Sequence, residues 1–277
     1  MPPRGADASH AIAMAKRLEG LVHAINVTDG SRAVMRMSSV AVCKLLLEAG
    51  HEPVLQVACR DRNRIGLQAD LLGAHALGIK NVLCLTGDPV RAGDQPNARP
   101  VNDYESVQLL QQLSALNKGE DPVSGQLPNG PTDLFPGAAA DPNCKSLSNL
   151  RRRLERKKEA GAKFLQTQMV MQPEILEQFC KEVAEPLELP VLTGVFLLKS
   201  AKNATFINNV VPGACIPPEI IARLEEAKNP SAEGVVIAAE QVKAFLNLSQ
   251  GIHIMAIKAE EKIPEILNLA GVNLLMP

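Results

Sequence analysis

QVACRDRNRIGLQADLLGAHALGIKNVLCLTGDP, residues 56–89, reads in order as strand, basic turn, helix, strand and acid. It begins inside the short apolar run PVLQVAC (53–59), which is of buried-strand type; apolar residues recur at helical spacing over 62–77, and NVLCLT (81–86) is a second buried run. Gly87 and Asp88 follow that strand at once. A residue without a Cβ lets the backbone come close to a ligand, and a carboxylate there can bind a polar ring edge or stabilise developing positive charge. Gly-Asp-Pro is also ordinary turn chemistry, so the dipeptide alone reads first as a strand-ending turn.

Outward from this stretch the chain keeps the same alternation. Upstream lie a helix over 7–18, a strand over 21–28 and a helix over 38–49; downstream lie a helix over 104–116 and a polar, Gly/Pro-rich excursion at about 117–131. Strands follow over 133–140, 164–169, 190–198 and 252–257. The helices between and after them span 146–160, 173–182, 201–209, 217–244 and 262–270. Seven strands joined by helices in 277 residues favour an eight-stranded β/α (TIM) barrel over an open doubly wound sheet, as one domain spanning 1–277. Because a helix precedes the first visible strand, the expectation is that the first barrel strand is missing from this chain and lies upstream of Met1.

Composition narrows the function classes. Hydrophobic residues make up 46%, with no Trp and a single Tyr, so the core is aliphatic and base stacking on aromatic rings has little support. Lys plus Arg (29) nearly balance Asp plus Glu (30), which argues against nucleic acid or a membrane surface as a partner recognised by net charge. The six cysteines lack C-x-x-C spacing and read as reduced, mostly packed thiols of a cytoplasmic protein; the five histidines show no metal-binding pairing. No signal peptide or spanning segment is visible.

Polar residues gather at the strand ends, where a barrel builds its site: Thr28 and Asp29, Cys59 and Arg60, Thr86 to Asp88, Asp141 and Asn143, Gln166 and Gln168, Lys199, and Lys258. Gln168 lies in an apolar run, where its amide must face a ligand or be satisfied internally. Arg60, Arg62 and Arg64 either hold phosphates or form a solvated helix start. Arg156, Lys157 and Lys158 end a helix, where cations suit its dipole.

The segments GIKNVLCLTGDPV (78–90), ACRDRNR (58–64), AGAKFLQTQ (160–168) and TGVFLLKSAKNATFIN (193–208) resemble the methylenetetrahydrofolate reductase family, especially the branch fused elsewhere to homocysteine methyltransferase. The resemblance spans essentially the whole chain. It implies a barrel carrying FAD that moves a hydride from NAD(P)H to 5,10-methylenetetrahydrofolate, giving 5-methyltetrahydrofolate. By it, Asp88 after Gly87 contacts the folate pterin and tunes the flavin; Gln168 after Thr167 contacts folate and nicotinamide in turn; Thr28 and Lys157 help hold the cofactor; and Lys258 lies on the substrate side. Gln56 and Thr86 stand at cofactor-facing positions where the better-known bacterial enzymes have His and Arg, so their contacts differ from the family's. AAADPNCK (138–145) replaces a Tyr-Pro-Glu segment, and Ala201 stands near a folate-stacking Phe.

Pro2-Pro3-Arg4-Gly5 matches the family's PPRG, and the family's catalytic glutamate falls just before it. A chain beginning at Met1 has no residue for that role, so the expected missing strand and missing acid coincide, and weak or absent reductase activity follows. The alternative is a folate- or flavin-binding barrel without reductase activity of its own, serving a methyltransferase or electron-transfer partner. A homo-oligomer is compatible with either. A weaker third reading is a barrel lyase acting on a phosphorylated substrate.

Overall fold

The computed structural model describes residues 1–211 and 213–272. They divide into two compact units: Met1–Ala138 with Arg156–Lys163, and Ala139–Glu155 with the described residues from Phe164 onward. The first unit contains, in order, α1 (Ser9–Lys16), β1 (Ile25–Val27), α2 (Ser39–Glu48), β2 (Pro53–Ala58), α3 (Arg64–Ala76), β3 (Asn81–Leu85), α4 (Ser106–Leu116), a hairpin of β4 (Glu120–Asp121) and β5 (Gly125–Gln126), and most of β6 (Phe135–Ala140). Strands β1, β2, β3 and β6 pair in that order, all parallel. Parallel strands with helical crossovers are covered by helices, which is why β2 and β3 read as continuous apolar runs. Leu55, Val57, Val82, Leu67, Leu71 and Leu113 are fully buried between the strands and α3 and α4.

The second unit begins at the end of β6. It holds most of α5 (Leu147–Glu159), then β7 (Phe164–Met169), α6 (Pro173–Phe179), β8 (Val191–Phe196), α7 (Ala201–Val210), α8 (Pro218–Glu226), α9 (Pro230–Phe245), β9 (Gly251–Met255) and α10 (Ile263–Leu269). Strands β7, β8 and β9 are parallel neighbours in that order. Helix α9 packs on β8, β9 and α10, and its Val242 and Phe245 are buried. The whole is an α/β fold of parallel strands and crossover helices. Among the described residues no helix is long and apolar enough to cross a membrane.

The alternation expected from sequence is present, with four differences. Strand β1 covers only Ile25–Val27, because Gly20 turns left-handed (φ 70°) and Leu21 donates its N–H back to the Leu18 carbonyl. The single helix expected over 217–244 is two. Asn229 has left the helical conformation and caps the Ala232 N–H at 3.2 Å, and Pro230 opens α9 at a position where its missing N–H costs nothing. Helix α6 ends at Phe179 and passes into a π-helical turn, Cys180–Ala184. The polar excursion contains the β4–β5 hairpin, pinned where Gln68 and Gln112 both donate to Asp121 Oδ1.

Candidate functional site

In the first unit most of the candidate residues lie where β1, β2 and β3 end. Thr28 follows β1 directly, and its hydroxyl is sealed from solvent without a hydrogen-bond partner among the described residues. Asp29 accepts the Ala58 N–H at 2.9 Å and pairs with Arg62, which also binds Asp70 at 2.5 Å. Burial opposes the Arg62 charge, but the two carboxylates outweigh it and hold the guanidinium above its ordinary range.

Arg60 is only 4% exposed and so is not part of a solvated face. It forms a forked pair with Asp61 (2.7 and 2.5 Å) and donates to the carbonyls of Gly30 and Asp88, both at 3.2 Å. Its pKa is raised chiefly by the Asp61 hydrogen bond, against the cost of burial. One guanidinium thus ties together the loops after β1, β2 and β3. Arg64 is held by Asp103 through Nε, Nη2 and its backbone N–H, and lies 5.3 Å from the Tyr104 ring centre. Those hydrogen bonds lower Asp103 to about 2. All three arginines are therefore engaged by carboxylates of the protein itself, which a phosphate would have to displace.

At the end of β3, Thr86 Oγ1 accepts the Ser106 N–H that opens α4 (3.4 Å). Gly87 has φ 98°, and a Cβ there would stand 3.0 Å from Arg60 Cβ, so glycine is required for both conformation and space. Asp88 is exposed, and its Oδ2 accepts the Arg32 N–H at 2.6 Å. That N–H comes from an unusual loop. Arg32 and Ala33 both occupy the left-handed region (φ 57° and 54°), a costly conformation that persists only where surroundings impose it. The Ala33 carbonyl is pressed against Gly93, where a Cβ would lie 1.8 Å away; Asp94 takes the Met35 N–H (3.0 Å) and the Arg4 guanidinium (2.5 Å). Pro2 and Pro3 give their carbonyls to Arg36 Nη1 (2.9 Å) and the Met37 N–H (2.8 Å), binding the Pro-Pro-Arg segment to the same loop.

Gln56, on β2, donates to Asn26 Oδ1 of β1 at 3.3 Å. Lys157 is half-buried near the end of α5, and its charge works against the strong upward push that burial gives the Cys84 thiol on β3. The first unit therefore assembles Thr28, Gln56, Thr86, Gly87, Asp88 and Lys157 on or beside the three adjacent strands β1, β2 and β3.

In the second unit Gln168 sits in a β-bulge of β7. Gln166 pairs with Leu192 of β8, but Met169 pairs with Gly194, so three steps on β7 match two on β8. The bulge is pinned from both sides. Thr167 Oγ1 accepts the Gly194 N–H (2.9 Å) and donates to the Gln168 carbonyl (2.7 Å), while Gln168 Oε1 accepts the Met169 N–H (2.9 Å). A Cβ on Gly194 would lie 2.7 Å from the Gln168 carbonyl oxygen. Beside the bulge, Asn143 donates to the carbonyls of Met169 (2.8 Å) and Gly213 (2.9 Å). Asp141 takes the Asn143 N–H at 3.1 Å, and burial raises its pKa. Lys258 is exposed with φ 56°, and its carbonyl, with that of Ile257, receives Lys199 Nζ (3.3 and 2.6 Å). Ala201 begins α7 behind the Ser200 cap.

Sequence reasoning missed the buried role of Arg60, the carboxylate partners of all three arginines and the Thr167–Gly194 pin. A signal existed for the last, since an isolated glycine inside a strand marks a bulge or a close backbone approach. No local pattern pointed to the others.

Three comparisons bear on this arrangement. A relative from Schizosaccharomyces pombe, methylenetetrahydrofolate reductase 2, is 24% identical over 265 residues, covering 89% of this chain and 40% of its own length, so the chain spans well under half of that relative. A solved protein from Clostridium thermocellum that binds two copies of 5-methyl-5,6,7,8-tetrahydrofolic acid superposes with a TM-score of 0.64 at 13% identity, over 98% of this chain and 93% of that one. DmoA from Hyphomicrobium sulfonivorans gives 0.56 at 9% identity over 95% and 80%. At such identities these two structures speak for a shared fold alone. The family model for methylenetetrahydrofolate reductase matches residues 1–271, and with that coverage the chain belongs to the methylenetetrahydrofolate reductase family.

Proposed function

We propose that this chain is a flavin-dependent reductase, built as a single eight-stranded β/α barrel domain, that converts 5,10-methylenetetrahydrofolate to 5-methyltetrahydrofolate with NAD(P)H as donor. The observation that carries the reading is the end of β3, where Gly87 leaves the backbone bare and the neighbouring Asp88 carboxylate is oriented by the Arg32 N–H. FAD fits the residues present. The sealed Thr28 hydroxyl has no partner among the described residues, and Gly87 brings no side chain of its own to the end of β3. Thr28, Gln56, Thr86, Gly87, Asp88 and Lys157 would hold the cofactor. When bound, it supplies a two-electron carrier between nicotinamide and folate.

Opening the folate methylene bridge takes a proton at N10 and leaves positive charge on N5. The Asp88 carboxylate stabilises that charge, and an acceptor already oriented by the backbone need not reorganise as the charge appears. Gln168, aimed by its pinned bulge, positions folate and nicotinamide in turn. Lys258 pairs with an anionic part of the substrate. The six free thiols, four of them buried, suit a reducing cytoplasm. Equilibrium dialysis against FAD, followed by assay of methylenetetrahydrofolate reduction, tests the proposal. Saturable flavin binding is expected, with the assay reading whether this chain also turns over; exclusion of FAD at concentrations well above that of the protein would overturn the proposal.

A further inference from the structure

Helix α3 is apolar on its outward face as well as its inward one. It buries Leu67, Leu71 and Ala74 against the sheet. On the opposite side Ile65, Ala69, Leu72 and Ala76 follow one another at steps of four, three and four residues, which sets them in a straight line along the helix. All four are exposed, Ile65 by 70% and Leu72 by 41%. The line runs roughly 16 Å at the helical rise of about 1.5 Å per residue. A helix packed on a sheet ordinarily turns polar residues to water, so a second apolar line marks a surface that another molecule covers. Its flanks leave room for one. Gly66 and Gly73 border the line on one side, and a Cβ at Gly73 would meet nothing within 4 Å. On the other side Gln68 donates to Asp121 of the β4–β5 hairpin, and Val123, two residues from that contact, is 78% exposed.

The order of the four side chains says what covers them. Read from Ile65 it is large, small, large, small; read from Ala76 it is the reverse, and the steps are the same in both directions. A second copy of α3 running antiparallel therefore sets Ile65 against Ala76 and Leu72 against Ala69, each contact made twice about one two-fold axis. A parallel copy would put Ile65 on Ile65 and Ala69 on Ala69, leaving gaps at the alanines. Charge at the helix ends agrees. The Arg64–Asp103 pair stands at the start of α3 and the Lys80–Asp133 pair just past its end, with the Asp133 side chain 88% exposed. Antiparallel packing brings these two pairs together, so each cation finds a carboxylate on the other copy, and it opposes the two helix dipoles. Parallel packing would set Arg64 beside Arg64. We propose that the exposed face of α3 is a self-association surface, on which a second copy of this chain docks antiparallel about a two-fold axis passing between Asp70 and Leu71.

Sedimentation equilibrium of the full chain over a range of concentrations tests this, with Leu72→Glu, Ala69→Lys and an equimolar mixture of the two variants. One helix face makes a small interface, so the unsubstituted chain should dimerise in the micromolar range. Each variant alone should dimerise about tenfold or more weakly, because it places a charge against an apolar side chain. Both positions are exposed, so thermal midpoints measured where every sample is monomeric should agree, which separates lost docking from lost folding. The mixture reads the register. Antiparallel packing sets the new carboxylate of one chain against the new ammonium of the other, so the mixed dimer should form about tenfold more tightly than either variant with itself. A parallel pair gives no such rescue. An unsubstituted chain that stays monomeric up to about 100 μM would overturn the proposal and leave the face to another protein. A dimer that neither variant weakens, or a mixture no tighter than the variants alone, would overturn it equally.

Discussion

In the proposed function Asp88 is the residue on which the chemistry turns, and its setting makes a directional prediction. Its carboxylate faces solvent, while its own carbonyl is held by Arg60 and its Oδ2 by the Arg32 N–H. Asp88→Asn removes the charge and preserves the shape. Positive charge develops on folate and not on the nicotinamide donor, so the folate half-reaction should slow by about 10²- to 10³-fold, the usual worth of one transition-state electrostatic contact. Flavin reduction by the donor should slow far less. Stopped-flow measurement of the two half-reactions decides this, and equal slowing would remove Asp88 from the role. That Asp88 stands at a strand end directly after a glycine was legible in Thr-Gly-Asp. Its partner was not, because the left-handed backbone at Arg32 is imposed by Gly93 and Asp94, some sixty residues away in sequence.

Two elements carry predictions of their own. Strand β7 is bent out of register by a pin that needs glycine at 194, so Gly194→Ala drives a methyl group against the Gln168 carbonyl and must shift the bulge. Folate binding and turnover should fall together, and a flavin affinity close to that of the unsubstituted protein would separate a displaced Gln168 from a collapsed fold. At the start of α9, Asn229→Ala removes the cap on the Ala232 N–H and should cost about 1 kcal/mol in denaturant unfolding, with the slope unchanged. The break between α8 and α9 was written in Asn229-Pro230, since proline is favoured at a helix start and asparagine before it. The apolar periodicity of 217–244 runs across it, which is why the segment reads as one helix when period alone is weighed.

For the molecule as a whole, His253 sets an expected pH dependence of stability. Its folded pKa is lowered by burial to about 4 from an ordinary 6.5, so between these values the unfolded chain binds the proton and the folded chain does not. Stability from this group is present above pH 6.5 and is lost as pH falls toward 4, on the order of 3 kcal/mol in all. His253→Gln should flatten the fall of the unfolding free energy between pH 7 and 5; an unchanged slope would assign it to other groups. The order of strands and helices, and the family to which the chain belongs, could be read from the amino acids alone. Strands covered by helices must be apolar along their length, amphipathic helices repeat with their own period, and glycine and acid at a strand end are local features that survive in one dimension. Folding in three dimensions is what buries Arg60 and spends it on three loops, makes Thr167 pin a bulge, and seals Gln166 Oε1 without a partner among the described residues. Each depends on which backbone donors and acceptors have already been used by residues distant in sequence, and no local pattern records that.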